Sequence, residues 1–185
     1  MKRKVIIFSA PSGSGKSTVV SHLMSKCPEL ELSISATSRA PRGQERDGVE
    51  YYFLSVDDFQ RRIAAGDFVE YEQVYKGVYY GTLRSELDRI WGAGHIIAFD
   101  VDVKGGVNLK KIFGDDALSV FIKAPSVDVL RERLIGRATD SPEAIRERVA
   151  KATEELKYEP QFDYVLVNDD LATCLAEAEG LLDKY

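Results

Sequence analysis

A glycine-rich stretch near the start of the chain carries residues suited to binding phosphate. It reads SAPSGSGKST over residues 9–18 and follows the apolar run VIIFS. Gly13 and Gly15 allow a tight turn whose backbone N–H groups face phosphate oxygens, and a following helix adds its positive N-terminal end. Lys16 is expected to reach the β- and γ-phosphates of a nucleoside triphosphate, and Ser17 to bind Mg²⁺. We predict a phosphate-binding loop here.

Ala10 stands where the usual pattern of such loops has its first glycine. A methyl group is compatible with the loop if the backbone φ at this position is negative. A turn that merely caps a helix would explain the serines and glycines. It would not explain the strand before the turn, the helix after it and the Lys-Ser-Thr run together. The loop alone predicts only a protein that uses nucleoside triphosphates.

The run AFDVD places two carboxylates at the end of a predicted strand. Because side chains on a strand repeat every second residue, Asp100 and Asp102 are expected on one face. A carboxylate at the end of a neighbouring strand can hold Mg²⁺, directly or through water. The alternative is a strand-end turn with two solvated acids. The metal site would lie at the carboxyl ends of the strands, where open α/β sheets bind ligands.

A basic segment at residues 35–53 indicates a second phosphate site. Arg39 and Arg42 flank Pro41, and two guanidinium groups held by a stiff turn can clamp a phosphate with paired hydrogen bonds. Tyr51 adds a hydroxyl donor. A basic surface loop is the alternative interpretation of this segment.

The segment EYEQVYKGVYYGT, residues 70–82, supplies a candidate reader of a purine base. It contains Glu70, Tyr80 and Thr82. A carboxylate here can accept hydrogen bonds from the N1–H and the exocyclic amine of guanine. Adenine has no N1–H, so it would leave the carboxylate unpaired, at a cost on the order of a few kcal/mol. Glu72 is the alternative reader on the same segment.

Strand-like and helix-like segments alternate along the chain, which implies a parallel sheet covered by helices on both faces. Two regions break this alternation. Residues 37–82 predict a small, partly antiparallel lobe, and residues 135–148 predict a mobile flap in which Ser141 caps a helix that begins at Pro142. Apolar runs predict strands at 5–9, 31–36, 96–102, 119–124 and 164–168, and amphipathic patterns predict helices at 16–26, 105–113, 126–135 and 170–183.

Composition narrows the class of protein. A chain of 185 residues suits one domain, and a net charge of −5 argues against a general surface for nucleic acid. Cys27 and Cys174 are predicted to be reduced thiols. The apolar run near the start ends at Pro11, too short for a signal peptide, and no segment is long enough to span a membrane. We expect a cytoplasmic protein without a nucleic-acid or membrane partner, either a monomer or a homodimer.

Taken together, the motifs resemble those of the guanylate kinases over nearly the whole chain. The segments SAPSGSGKS, S-x-T-S-R-x-P-R ending in G-x-x-Y-x-F, F-V-E with YYGT, D-V-D-x-x-G, GR-x-x-D-S and VND follow the order and spacing of that family. The resemblance implies a single guanylate kinase-like domain over residues 1–185, with the α/β fold of P-loop nucleoside monophosphate kinases. Its parallel sheet core would comprise residues 1–34, 83–134 and 149–185, with a mixed GMP-binding lobe at 35–82 and a mobile lid at 135–148.

The resemblance also implies the reaction MgATP + GMP → ADP + GDP, with dGMP as a further acceptor, in purine nucleotide metabolism and GMP recycling. Catalytic groups would be Lys16, Arg39, Arg42, Arg137 and Arg148. The GMP phosphate would contact Ser35, Arg39, Arg42, Tyr51 and Tyr80. Guanine would be read by Glu70, Thr82 and Asp102, with Gly81 also in the GMP site. The resemblance places Asn168 near the adenine of ATP, and Ser17 and Asp100 at Mg²⁺. The remaining ATP contacts would come from the loop residues Ala10, Pro11, Ser12, Gly13, Ser14, Gly15, Lys16, Ser17 and Thr18.

Two other function classes stay open on the sequence. Guanylate-kinase-like scaffold domains keep the fold but bind peptides, usually with a damaged phosphate loop or without the flap arginines. A related small-molecule kinase that phosphorylates a sugar phosphate would not need Glu70 and Asp102 near a purine. The intact loop and both arginines argue against the scaffold, and the two acids argue against the sugar-phosphate kinase.

Overall fold

The computed structural model describes residues 4–136 and 141–184, in which the chain divides into two units. The first unit comprises Met1–Glu31 and Ala98–Tyr185, and the second comprises Leu32–Ile97. The functional boundaries predicted for the lobe and the lid stay predictions, since the units are defined by packing alone.

A five-stranded parallel sheet is the framework of the first unit. Three of its strands, β1 (Val5–Ser9), β8 (Ala117–Lys123) and β9 (Tyr164–Val167), are paired side by side in parallel. All five residues of β1 are buried. A strand covered on both faces is a continuous apolar run, which explains why VIIFS was recognisable in the sequence. The strand order is β2 (Leu30–Leu32), β7 (Ile96–Val101), β1 (Val5–Ser9), β8 (Ala117–Lys123) and β9 (Tyr164–Val167).

Helices connect and cover these strands. Phe121 of β8 packs against Val103, Val107 and Phe162. A further buried cluster joins Leu130 and Leu134 to Val149 and other apolar residues. Short 3-10 turns precede β8 and β9. The helices are α1 (Lys16–Lys26), α4 (Val103–Phe113), α5 (Val127–Gly136), α6 (Pro142–Leu156) and α7 (Leu171–Lys184), and the turns are Gly114–Asp116 and Glu159–Gln161.

The second unit is built on a four-stranded mixed sheet. Strand β3 (Ala36–Thr37) runs parallel to β4 (Tyr52–Phe53) and antiparallel to β6 (Val78–Leu83). Strand β5 (Phe68–Tyr75) and β6 form an antiparallel hairpin. Phe59 stacks on Phe68 with ring centroids 4.3 Å apart. Its order is β4 (Tyr52–Phe53), β3 (Ala36–Thr37), β6 (Val78–Leu83) and β5 (Phe68–Tyr75), and its helices are α2 (Val56–Ala65) and α3 (Arg84–Gly92).

The α/β fold predicted from the sequence is confirmed, and several boundaries match. Strand β1 and helix α1 occupy the predicted residues. Ser141 caps α6, because its Oγ accepts a hydrogen bond from Ala144 N at 3.2 Å, and Pro142 is the first helical residue. Among the described residues, no helix has the length and apolar composition that crossing a bilayer requires.

The predicted strand at 31–36 is wrong. Its first part belongs to β2, in the five-stranded sheet, and its last residue begins β3, in the four-stranded sheet. Between them, the backbone N–H of Ile34 donates to the Glu86 carboxylate at 2.9 Å instead of to a strand. The alternating pattern of ELSISA depends only on adjacent residues. The point at which the chain leaves the five-stranded sheet depends on Glu86, which is 52 residues away from Ile34.

Candidate active site

The predicted phosphate loop lies between β1 and α1 and turns through two glycines. Gly13 and Gly15 both have φ of +91°, a left-handed conformation that is easily reached only without a Cβ. Gly15 is the N-cap of α1, so the loop leads directly to a helix N-terminus. This arrangement presents backbone N–H groups and the positive end of the helix dipole to one place.

Lys16 extends from the start of α1 to the end of β7. Its Nζ lies 2.5 Å from Asp100 Oδ1 and donates to the carbonyl oxygen of Val101 at 2.5 Å. A cavity of about 350 Å³ is lined by the loop, by Asp100 and Asp102, and by Lys151 and Glu155 of α6. The structure thus brings the predicted lysine and both predicted acids to one cavity of the first unit.

The two acids reach this cavity in different ways. Strand β7 ends at Val101, so the prediction that Asp100 and Asp102 share one face of a strand is wrong. Asp102 is the N-cap of α4, with its Oδ1 accepting a hydrogen bond from Gly105 N at 2.7 Å. This cap starts α4 two residues before the predicted position. Asp100 keeps its carboxylate toward Lys16.

The residues at the cavity fit a magnesium ion bound together with phosphate. Mg²⁺ prefers oxygen ligands and is commonly held by one or two protein side chains plus phosphate oxygens and water. The Ser17 hydroxyl and the Asp100 carboxylate line the same cavity and supply such oxygens. Over residues 4–136 and 141–184, no group of three His, Cys, Asp or Glu side chains is arranged to hold a metal.

Glu155 is a cavity residue that the sequence analysis missed. Burial raises the pKa of its carboxyl and Asp102 adds to the rise, whereas Lys151 and Lys16 oppose it. Lys151 lies one helical turn away, with Nζ 3.5 Å from Glu155 Oε1. In the sequence this spacing reads as an ordinary surface pair on a helix. Only the packing of α6 beside the phosphate loop distinguishes Glu155 and Lys151 from such a surface pair.

Asn168 packs directly against the phosphate loop. Its buried side chain donates from Nδ2 to the Ser14 carbonyl at 2.9 Å, and a Cβ at Gly15 would overlap that amide nitrogen. Arg133 Nη2 in turn donates to the backbone carbonyl oxygen of Asn168 at 2.9 Å. Beside these residues lies a second cavity of about 440 Å³, also lined by Thr18. A nucleotide base is the kind of group that such a cavity can accept.

One predicted flap arginine lies near the phosphate loop. Arg148 is exposed on α6, and its Nη1 is 3.5 Å from Ser12 Oγ. The other, Arg137, falls outside the described residues. Whether residues 135–148 act as a lid stays a prediction.

In the second unit, two tyrosines predicted to hold the GMP phosphate contact the guanidinium group of a third such residue, Arg39. Arg39 Nε donates to the Tyr80 hydroxyl at 3.0 Å. The Arg39 Cζ lies 4.9 Å from the ring centroid of Tyr51, and the Tyr51 and Tyr80 rings meet edge to face at 5.9 Å. The Arg39 side chain is only 10% exposed. Ser35 is half-buried just before β3, and Arg42 is exposed.

Glu45 is a second residue that the sequence analysis missed. Its carboxylate accepts hydrogen bonds from Arg39 Nη1 at 2.7 Å and Nη2 at 2.9 Å, and from the backbone N of Arg42 at 2.8 Å. The hydrogen bond from Arg39 and the one from Arg42 N lower the Glu45 pKa to about 2, and the pairing raises the pKa of Arg39. An acid three residues after Arg42 was the signal available in the sequence.

The candidate base readers lie opposite each other on the β5–β6 hairpin. Glu70 pairs with Thr82 across the strands, and the Thr82 hydroxyl donates to Glu70 Oε1 at 2.8 Å. Gly81 allows this close pairing, because a Cβ there would lie 2.7 Å from the Glu70 carbonyl oxygen. Glu72, the alternative reader, lies opposite Tyr80 and is exposed, whereas Glu70 is half-buried.

Glu86 holds the residues next to Ser35 and Tyr51 in place. Its side chain is 1% exposed and accepts hydrogen bonds from Ile34 N, the Tyr52 hydroxyl and Arg89. Burial raises the pKa of Glu86, but the hydrogen bonds from Arg89, Ile34 N and Tyr52 outweigh that effect and lower it. Through Ile34 and Tyr52, the carboxylate fixes the backbone next to Ser35 and Tyr51.

The residues around Lys16 in the first unit, those around Arg39 in the second unit, and the fold agree with the family comparison. The guanylate kinase family model matches residues 2–185. The chain belongs to the guanylate kinase family. It is 55% identical to a guanylate kinase from Porphyromonas gingivalis over 98% of this chain and 97% of that protein, and 54% identical to one from Bacteroides fragilis over 98% and 89%.

A solved structure gives the same result for the fold. The crystal structure of guanylate kinase from Anaplasma phagocytophilum superposes with a TM-score of 0.72 at 27% identity, covering 98% of this chain and 85% of that one. The family predicted from the sequence motifs is therefore confirmed.

Proposed function

We propose that the chain transfers the γ-phosphoryl group of MgATP to GMP, with the cavity of the first unit holding the ATP phosphates and the Arg39 cluster holding the GMP phosphate. ATP-dependent phosphorylation of GMP to GDP is the reaction of the guanylate kinase family, to which the chain belongs. What the proposal adds is the assignment of that reaction to particular side chains.

The observation that carries the assignment is the order of side chains along β6. Tyr80 contacts the arginine that would hold the phosphate, and Thr82 contacts the carboxylate that would read the base. Residues two apart on a strand point to the same face and lie about 7 Å apart. That separation is of the order of the distance between phosphate and base within one nucleotide. One face of β6 can thus serve both ends of GMP.

Phosphoryl transfer requires alignment and neutralisation of negative charge more than covalent work by the protein. Lys16 provides a mobile positive charge at the phosphate loop, and Arg148 is placed to add a second one near Ser12. Arg39 and Arg42 would neutralise the acceptor phosphate. Its oxygen is already a nucleophile, so the proposal needs no general base.

Mg²⁺ would be held by Ser17 and Asp100, and when bound it supplies charge neutralisation at the phosphates. Lys16 would exchange Asp100 for the phosphate oxygens, with which an ammonium group also forms charge-assisted hydrogen bonds. Asn168 would keep the loop in its binding conformation through Ser14, with the adjoining cavity available to adenine.

The acceptor would include dGMP, because the proposed contacts reach the phosphate and the base and none of them requires the 2′-hydroxyl. The contact of Asp102 with guanine, the cytoplasmic location and the absence of nucleic-acid or membrane partners stay predictions.

The test is a coupled assay of ADP release with ATP as donor and GMP, dGMP, AMP, CMP, UMP or a sugar phosphate as acceptor. We expect kcat/KM for GMP and dGMP to exceed that for the other three nucleotides by at least about 10³-fold, as expected when a half-buried acceptor such as Glu70 rejects an unmatched base. Comparable turnover of AMP would contradict the assignment of Glu70, and turnover of a sugar phosphate alone would replace the proposal by the sugar-phosphate kinase.

A further inference from the structure

The guanidinium group of Arg39 is already engaged along most of its edge. Four of its five N–H groups donate to protein acceptors: Nε to Tyr80, one Nη1–H to Ala40 O, and one each from Nη1 and Nη2 to Glu45. The fork that commonly clamps a phosphate with two hydrogen bonds is therefore occupied by a carboxylate of the same loop.

This carboxylate is held too firmly to act as a simple placeholder. The Arg39–Glu45 pair has two short hydrogen bonds, and the guanidinium carbon lies 4.9 Å from the Tyr51 ring centroid and 5.7 Å from that of Phe53. Moving Arg39 off Glu45 would lose the paired hydrogen bonds and disturb the aromatic contacts together. The geometry favours a pair that stays intact when a phosphate binds.

Glu45 also connects the two arginine positions. Its Oε2 accepts from both Arg39 Nη1 and the backbone N of Arg42. The Glu45 N–H donates to the Arg42 carbonyl at 3.1 Å, and Gly43 between them has a φ of +57°. One carboxylate thus fixes the side chain of Arg39 and the main chain of Arg42 in a closed turn.

We propose that Glu45 is a positioning residue that keeps Arg39 and Arg42 in the arrangement that binds the phosphate of the acceptor nucleotide. The proposal rests on the proposed function, because it assumes that these arginines hold that phosphate. With Glu45 in place, the phosphate takes the remaining Nη2–H of Arg39 together with the side chain of Arg42. Glu45 itself does not contact the substrate.

The variant that tests this is Glu45→Gln. Glutamine keeps the shape but places an NH₂ group against donors of Arg39 or of Arg42 N, so it cannot accept all three hydrogen bonds. We expect KM for GMP to rise about 10- to 100-fold, as for the loss of one or two charge-assisted hydrogen bonds. The kcat and the KM for ATP should change less than about threefold, because the loss is in ground-state binding.

A second measurement separates positioning of the clamp from a general loss of structure. Guanosine lacks the phosphate, so its inhibition constant against GMP should be the same in Glu45→Gln as in the unmodified protein. Equal weakening of guanosine and GMP would mean that Glu45 only stabilises the lobe and would overturn the proposal. Unchanged KM for GMP would also overturn it.

Two control variants complete the experiment. Glu50→Gln removes a carboxylate of the same segment that accepts a hydrogen bond from Arg46 N at 2.6 Å, and it should leave all constants unchanged. Arg39→Met tests the assumption beneath the proposal. If Arg39→Met leaves GMP binding intact, the clamp assignment fails; if Arg39→Met weakens it and Glu45→Gln does not, only the role of Glu45 fails.

Discussion

Lys16 of the first unit and Arg39 of the second both pair with a carboxylate, but they are held very differently. Lys16 has one carboxylate and one carbonyl oxygen as partners, and its side chain is 19% exposed. Arg39 has a bidentate carboxylate, a tyrosine hydroxyl and a carbonyl oxygen, and it lies over an aromatic ring. The Lys16 ammonium group thus has two oxygen partners, whereas the Arg39 guanidinium group is held by three residues and an aromatic ring.

This difference matches the two tasks that we propose. A lysine has rotatable donors on a flexible stem, whereas the planar fork of arginine is preorganised for one geometry. The phosphoryl group that is transferred changes its position and charge during the reaction, and a mobile cation can follow it. The acceptor phosphate has to be held still. In the proposed reaction, the two units would use different cations for a moving and a stationary phosphate.

The largest effect is expected from Lys16→Met, which tests the mobile cation. Loss of charge stabilisation should lower kcat by about 10³-fold or more. The thermal unfolding midpoint should change little, since the lysine lies at a partly exposed cavity. Lys26→Met, on the exposed end of the same helix, is the control for charge. Activity within tenfold of the unmodified protein would refute the phosphate-loop assignment.

Glu70→Gln tests base reading in the second unit. The amide would turn one acceptor into a donor that faces guanine donors, which should lower kcat/KM for GMP by about 30- to 1000-fold, or about 2–4 kcal/mol. AMP should lose much less, so the GMP to AMP ratio should shrink. Glu72→Gln is the matched control. A selective loss in Glu72→Gln instead would show that Glu72 reads guanine.

Arg148→Ala tests whether an exposed cation beside the phosphate loop acts mainly in the transition state. We expect kcat to fall by about 10²-fold while KM for GMP changes by less than about threefold. Arg146→Ala is the control, because Arg146 lies on the same helix and pairs with Glu143 at 2.8 Å. A raised KM with unchanged kcat would assign Arg148 to ground-state binding.

The smallest effect on activity is expected from Glu86→Gln, which tests the rigidity of the second unit. Glutamine cannot satisfy all the donors around this buried carboxylate, so the free energy of unfolding at pH 7 should fall by about 1–3 kcal/mol. Steady-state kinetics at 25 °C should stay close to those of the unmodified protein.

The pH dependence of that loss follows from the lowered pKa of Glu86. A carboxyl group with a lower pKa in the folded state stabilises the fold above its unfolded pKa, whose ordinary value is 4.5, and this contribution is lost as the pH falls through the folded pKa. The difference in denaturation midpoint between Glu86→Gln and the unmodified protein should therefore narrow below about pH 4.5. Asp88→Asn, exposed on the same helix, should leave the midpoint unchanged. A difference independent of pH would mean that the charge of Glu86 does not matter.

Much of this protein was predictable because its signals are local. The run VIIFS followed by SGSGKS determined a buried strand, a turn through two glycines and a helix, since the required backbone conformations depend on adjacent residues. Ser141 and Pro142 similarly determined the start of α6. The order of motifs along the chain also determined the family.

The tertiary structure decided what depends on distant partners. The chain leaves the five-stranded sheet after Leu32, where Ile34 N donates a hydrogen bond to Glu86 instead of to a strand. The pattern of ELSISA does not contain this contact. Glu155 became a residue of the phosphate-loop region only through packing of α6 beside the loop. The resemblance already implied that Asn168 lies near ATP, but its hydrogen bond to Ser14 depends on how the end of β9 packs against the loop. Glu45 became the partner of Arg39 only once the turn between them closed. Sequence spacing sets the conformation of a segment, but which charges meet is decided by the long-range contacts that bury them.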